Sequence, residues 1–243
     1  MAVPRFYFSD NPACGMSAAL PPQAAHHAAK VLRLGMGDEI ILFDGGGGEY
    51  GAIINDIGKH GVTVKIGVHR VTERESPLNI TLAQAISSGD KMDYTLQKAT
   101  ELGIAYIQPL ESERSVVRLS GERAEKRIAH WQGVVISACE QCGRNKIPEV
   151  TPIRRFYDWL GMAEKSGWRL MLSPGAELGL RDLPKPEQPI TLLIGPEGGF
   201  STVETASAQR TGYTPIRLGS RILRTETAAL AALAAMQTLW GDF

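Results

Sequence analysis

The sequence predicts an α/β protein in two parts, a small β-rich domain over residues 1–72 and a larger α/β domain over 73–243. Three observations carry that reading. Before Val71, short apolar runs alternate with Gly-rich turns; beyond the charged, Pro-punctuated stretch Glu73-Arg74-Glu75-Ser76-Pro77, strands alternate with helices. Near the C-terminus, two segments repeat one order of apolar strand, loop rich in Gly and charge, and helix start, the order that recurs where α/β proteins bind small ligands.

In the first part, Val3 to Phe8 reads as a strand. A helix is expected between Pro22, suited to a first turn, and Gly35, with Val31, Leu32 and Leu34 as its apolar edge. Ile40 to Phe43, Tyr50 to Ile54 and Val62 to Val68 follow as strands, separated by Gly45-Gly46-Gly47-Gly48 and by Gly58-Lys59-His60-Gly61. Many short strands with Gly turns suggest a barrel.

In the second part, strand Ile80 to Ile86, a helix from about Asp90 to Leu102 stopped by Gly103, and strand Ile104 to Leu110 imply parallel pairing. A long helix is expected from Gly121 to Cys142, with Ile128, Trp131, Val135 and Ala138 at helical spacing, and Trp168 to Leu172 as a further strand.

The two C-terminal segments bear on function. Ile190 to Ile194 is a buried-strand run broken by Gly195-Pro196, and Gly198-Gly199 lets a ligand approach backbone with no Cβ in the way. Ser201 and Glu204 form a capping box for a helix from Thr202 to about Thr211, with Gly212 as its stop. Tyr213 to Leu218 returns as a strand, and the loop from Gly219 to Arg224 leads to Thr225 or Thr227 as N-cap of an Ala-rich final helix. Free amides at such a start favour a carboxylate or phosphate. Neither a G-x-G-x-x-G nor a P-loop motif is present.

Leu192-Leu193-Ile194-Gly195-Pro196-Glu197-Gly198-Gly199 and Leu218-Gly219-Ser220-Arg221-Ile222-Leu223-Arg224-Thr225-Glu226-Thr227-Ala228 resemble the two cofactor-loop motifs of the SPOUT superfamily of methyltransferases. Pro4-Arg5-Phe6-Tyr7, His27 to Arg33, Lys91 to Gly103 and Cys139-Glu140-Gln141-Cys142-Gly143-Arg144 are similar, in order, to the bacterial family that methylates N3 of a uridine in small-subunit (16S) ribosomal RNA. The resemblance implies a PUA-like RNA-binding barrel, then a SPOUT α/β domain with a trefoil knot that pairs into a homodimer. It implies S-adenosylmethionine as cofactor, held by Leu172, Ser173 and Pro174, by Ile194 to Gly199, and by Leu218, Gly219, Ile222, Leu223, Arg224, Thr225, Thr227 and Ala228. Glu197 and Glu226 are candidates for a base, and Arg144 and Asn145 for contacts to the uridine, Arg144-Asn145-Lys146 following a Gly stop from which donors reach outward. Arg5, Arg33, Arg144 and Lys146 are expected to contact RNA.

Composition bounds these expectations. Lys+Arg 26 against Asp+Glu 26 gives no general basic character, so any RNA contact must be local. Three cysteines give no disulfide framework, and Cys139-x-x-Cys142 lacks a second Cys/His pair for zinc. Adjacent His26-His27 do not converge on one ion, so no metal is expected. Met1 to Asp10 contains no apolar h-region, and the longest apolar run, Ala228 to Met236, is far short of a span, so the reading is cytoplasmic with no membrane. Leu230, Leu233, Met236, Gln237 and Trp240 recur at helical spacing on an otherwise Ala-rich helix; one apolar face covers the sheet of its own domain, and the Ala-rich remainder is an apolar surface that fits an interface. Two other readings stay open: a non-enzymatic dimeric RNA-binding protein, and an enzyme that cradles another nucleotide's phosphates at Gly195 to Gly199.

Overall fold

The alternating runs of the N-terminal part become strands β1 (Arg5–Tyr7), β2 (Ser17–Ala19), β3 (Glu39–Phe43), β4 (Glu49–Gly58) and β5 (Gly61–Arg70) in the computed structural model, which describes residues 3–59, 61–162 and 166–243. They form one five-stranded sheet in the order β1-β3-β4-β5-β2. β1 runs parallel to β3 and the remaining pairs are antiparallel. Alternation buries Ile40, Leu42, Ile54, Val64 and Ile66 on one face, with Phe6 and Phe8 from the first strand and its continuation. His60, within the expected β4–β5 turn, lies outside the described residues.

The helix after Pro22 differs from expectation. Helix α1 (Pro22–His26) passes into a π-helical turn at His27–Val31. It is Ala24, Ala25 and Ala28 that face the core, while Val31 and Leu32 are exposed. The extra residue in a π turn rotates the following side chains, so Val31 and Leu32 of the expected edge fall on the wrong face, while Leu34 packs against the core.

Residues up to Glu75 form a compact unit together with Cys139–Ile147, and Ser76–Ala138 with Pro148–Phe243 form a second. The second is the α/β part, with strands β6 (Ile80–Ala85), β7 (Tyr106–Glu111), β8 (Glu149–Val150), β9 (Arg154–Arg155), β10 (Trp168–Leu172), β11 (Ile190–Ile194) and β12 (Thr214–Ile216). Their sheet has the order β12-β10-β11-β6-β7-β8, with β9 also pairing β7, and every pairing is parallel. Near-continuous apolar strands such as Ile190 to Ile194 match a sheet covered on both faces. Helices α2 (Lys91–Glu101), α3 (Gly121–Cys142), α4 (Phe156–Met162), α5 (Thr202–Arg210) and α6 (Thr225–Trp240) complete the chain. The last four residues of α3 belong to the first unit.

The final helix departs from the sequence reading at its N-cap and in burying Ala229 and Ala232 beside the apolar face that covers its own domain. Arg224 occupies the N-cap without a side-chain cap bond, so neither Thr225 nor Thr227 is the cap. Ala229, Ala232, Leu233, Met236, Gln237 and Trp240 are buried within this chain, whereas Ala228, Ala231, Ala234 and Ala235 are half-buried.

Candidate functional site in the α/β unit

Parallel strands β12, β10 and β11 lie side by side, so their C-terminal ends open together. A cavity of about 340 Å³ occupies that end of the sheet. β10 contributes Leu172, Ser173 and Pro174; β11 contributes Ile194 and the loop Gly195, Pro196, Glu197, Gly198 and Gly199. The loop after β12 contributes Leu218, Gly219, Ile222 and Leu223, and the first turn of α6 adds Thr225 and Ala228. Arg224 and Thr227, expected among them, stand outside the lining. Arg221 of the second motif loop lines it too, and Met171, Phe200, Thr205, Ile216 and Arg217 line it without having been singled out by sequence.

The β11 loop is tightly made. A Cβ on Gly195 would sit 3.2 Å from the Phe200 amide nitrogen and 3.3 Å from the Gly199 Cα, and Gly199 itself has φ +64°. The Thr225 hydroxyl donates to the Gly195 carbonyl at 2.6 Å and accepts from Gln84 Nε2 at 3.1 Å, which ties β6, the β11 loop and α6 together.

Glu197 is held from another side. Its carboxylate accepts from the Ser88 amide at 3.0 Å, the Ser88 hydroxyl at 2.8 Å and Lys91 Nζ at 3.2 Å. Burial works against the charge, but these donors outweigh it and hold the carboxyl at about 2. A carboxylate that acidic is a poor proton acceptor near neutral pH, so Glu197 anchors its loop. Glu226 differs: it stands outside the cavity lining, next to Thr225, and its Oε2 is buried with no hydrogen-bond partner among the described residues.

Behind the same loop, fully buried Glu204 accepts the Ser201 amide and the Glu113 amide, each at 2.8 Å, while the Ser201 hydroxyl closes the capping box. Arg114 then follows, donating from Nη1 to the Gly198 carbonyl at 2.8 Å. The link from residue 113 to residue 204 spans most of the domain sequence, and no local pattern announces it.

The basic residues of the first unit fall into two groups. Arg5 Nη1 pairs with Glu49 at 2.6 Å and Nη2 with the Asn145 side chain. Arg144 donates to Glu75 at 3.0 Å from Nε and again from Nη2, and Asn145 donates to the Thr72 carbonyl. The side chains of Arg5 and Arg144 are 9% and 6% exposed, and Asn145 is fully buried. The expectation that Arg144 and Asn145 reach outward is therefore corrected: Glu75 draws Arg144 inward, and the Thr72 carbonyl and Arg5 hold Asn145. Burial raises the Glu49 carboxyl, but Arg5 and then Arg74 outweigh it and leave its pKa lowered. Lys146 and Arg33 are exposed, Arg33 at φ +56°. Cys139 is buried, and burial pushes its thiol up to about 12, which removes it from thiolate chemistry. Among the described residues no cluster of His, Cys, Asp and Glu could hold a metal ion.

A parallel sheet whose strand ends share one cavity makes this an α/β protein with a small-ligand site at the position usual for that class, and the sequence pattern of the RNA methyltransferase domain family matches residues 74–237. An RNA methyltransferase PUA domain pattern matches residues 20–67. The chain belongs to the RNA methyltransferase family, and within it to the family of ribosomal RNA small subunit methyltransferase E. It is 36% identical over 240 residues to the protein of that name from Buchnera aphidicola, covering 99% of this chain and 98% of the relative. Among solved structures, ribosomal RNA small subunit methyltransferase E from Neisseria gonorrhoeae, bound to S-adenosyl methionine, is 46% identical with TM-score 0.93. A methyltransferase from Legionella pneumophila with SAM bound is 40% identical with TM-score 0.96, and both matches cover 100% of each chain.

Proposed function

We propose that this protein transfers the methyl group of S-adenosylmethionine to N3 of a uridine in 16S ribosomal RNA. The observation that carries it is the cavity at the ends of β10, β11 and β12, lined by the two motif loops, in a chain whose full-length relatives are solved with that cofactor. The residues present fit such a molecule. Leu172, Ile194, Ile216 and Leu218 offer apolar walls for a flat adenosine, and the Gly195 to Gly199 loop brings backbone to the ligand. When bound, S-adenosylmethionine supplies an electrophilic methyl group on a sulfonium.

This chain's residues do the rest. Thr225 and Glu197 fix the loops, so orientation is set before the RNA arrives. Glu226 accepts the N3 proton, its Oε2 being without a competing partner. Residues 1–72 serve as the RNA-binding domain, with Arg33 and Lys146 as exposed contacts. Arg5, Arg144 and Asn145 hold the segment that presents Lys146. The active form is a homodimer acting in the cytoplasm on the small subunit, and the C-terminal domain carries the knot of its superfamily, which a backbone trace at atomic resolution tests. No helix among the described residues is long and apolar enough to cross a membrane.

The test uses small subunits and naked 16S RNA from cells lacking the modification, incubated with labelled S-adenosylmethionine. A methyl on N3 blocks the Watson–Crick face and stops reverse transcriptase at one uridine. Label on ribose or on a ring carbon, or none on either substrate, rejects the proposal.

A further inference from the structure

Arg114 stands beside the cofactor cavity without belonging to its lining. Its Nη1 donates to the Gly198 carbonyl at 2.8 Å. Its Cβ and Cδ lie 3.4 and 3.5 Å from the point that a Cβ on Gly198 would occupy, so the side chain lies flat on a residue that forms the cavity wall. The turn that carries it is fixed from both sides. Buried Ser112 and Ser115 share a 2.9 Å hydroxyl contact, and the amide of Glu113 is bound by buried Glu204 at 2.8 Å.

The neighbouring Glu113 carboxylate interacts electrostatically with this guanidinium, but the carboxylates around it spend their hydrogen bonds elsewhere. Glu113 is engaged by the Tyr157 hydroxyl at 2.7 Å, Glu204 by two amides, and Glu197 by Ser88 and Lys91. Arg118 takes Glu111 at 2.8 Å. Among the described residues no carboxylate pairs with Arg114. A guanidinium carries five N–H donors in one plane, and Gly198 uses one.

Methyl transfer to uridine N3 has one electrostatic demand. The N3–H proton leaves to the carboxylate of Glu226, the N3 electron pair forms the new N–C bond, and the S–C bond breaks with its pair going to sulfur, leaving a neutral thioether. Between proton loss and bond formation, negative charge spreads over N3 and the two flanking carbonyl oxygens. A preorganised donor aimed at such charge is worth most where it need not reorganise. A planar fork anchored on Gly198 at the cavity rim matches a planar carbonyl edge.

We propose that Arg114 is a catalytic residue that donates to a carbonyl oxygen flanking N3 of the target uridine and stabilises the deprotonated base. The proposal rests on uridine N3 being the methylated atom.

Single-turnover methylation of small subunits, measured against pH with wild type, Arg114→Gln and Arg114→Lys, tests it. Arg114→Gln is expected to lower the rate at neutral pH about 100-fold. Its rate should recover as pH rises, its profile displaced upward by about one unit or more, with S-adenosylmethionine affinity and melting temperature changing far less than the rate. Arg114→Lys, which keeps the charge and loses the fork, should fall between. An undisplaced profile, with weaker RNA binding and a salt slope shallower by about one phosphate, assigns Arg114 to the RNA backbone and overturns the proposal. Equal rates in all three proteins also overturn it. A wild type that places no methyl on uridine N3 defeats the underlying reading, and this proposal falls with it.

Discussion

Thr225 Oγ1 donates a 2.6 Å hydrogen bond to the carbonyl oxygen of Gly195, thirty residues away in sequence, and so joins the two loops that share the cavity. The same oxygen accepts from Gln84 on β6. Thr225→Val removes both bonds at constant shape and leaves the part-buried Gly195 carbonyl and one N–H of the buried Gln84 amide without this partner, Gln84 keeping its bond to the Ala85 carbonyl, at a cost of about 1–3 kcal/mol. Thermal denaturation should show a lower melting temperature and a smaller upward shift on adding S-adenosylmethionine, and Thr225→Ser should restore both. A Val variant that melts like wild type would show that the bond is incidental.

Gly195→Ala separates loop geometry from overall stability. The added Cβ would meet backbone at 3.2–3.3 Å, and that backbone belongs to Gly199 and Phe200 of the same loop. The loop must give by a few tenths of an ångström. Cofactor affinity measured by calorimetry should fall about tenfold, or ~1.4 kcal/mol, with little change in melting temperature. Wild-type affinity would place the ligand away from this loop.

Glu197 makes the β11 loop sensitive to acid. Its folded pKa, at about 2, lies below the ordinary carboxylate value of 4.5, so its stabilisation is fully present above the unfolded pKa and is lost as pH falls towards about 2. Glu197→Gln should therefore be less stable than wild type at neutral pH, by about 1–3 kcal/mol given its partial exposure. Urea denaturation at a series of pH values should show the gap closing below about pH 4.5. A gap that stays constant down to pH 3 would mean that the Ser88 and Lys91 contacts do not set its charge.

Legibility in the sequence followed the range of the interaction. Ser201 and Glu204 were readable as a capping box because both bonds close within one turn. Strands Trp168–Leu172 and Ile190–Ile194 were readable because a buried parallel strand is apolar throughout. The short pieces β2, β8 and β9 owe their pairing to distant strands, and nothing in Ser17–Ala19 marks its pairing to β5. Arg144 shows the same limit at the site. As a basic residue after a glycine it looks like an outward donor, yet Glu75, sixty-nine residues earlier, decides where it points. Met171, Ile216 and Phe200 joined the cavity wall because strand ends converge in three dimensions, which a one-dimensional motif does not encode.

The homodimer is the prediction that the structure sharpens most. An apolar helix surface supports an interface only where the chain's own core leaves it free, and α6 divides cleanly on that criterion. Ala232 is fully buried, so Ala232→Glu would place a carboxylate in the monomer's core and test folding alone. Ala228, Ala231 and Ala235 are half-buried and Leu239 is 41% exposed, a stripe at helical spacing that begins at the cavity-lining Ala228. A partner seated there would cover the stripe beside the ligand loops. Ala235→Glu should then yield monomers, because an unpaired carboxylate at an interface costs several kcal/mol. Those monomers should melt near the wild-type temperature when extrapolated to low concentration and bind S-adenosylmethionine more weakly. Light scattering at micromolar concentration decides the matter: wild-type monomers would refute the dimer, and Ala235→Glu dimers with wild-type affinity would move the interface to another face.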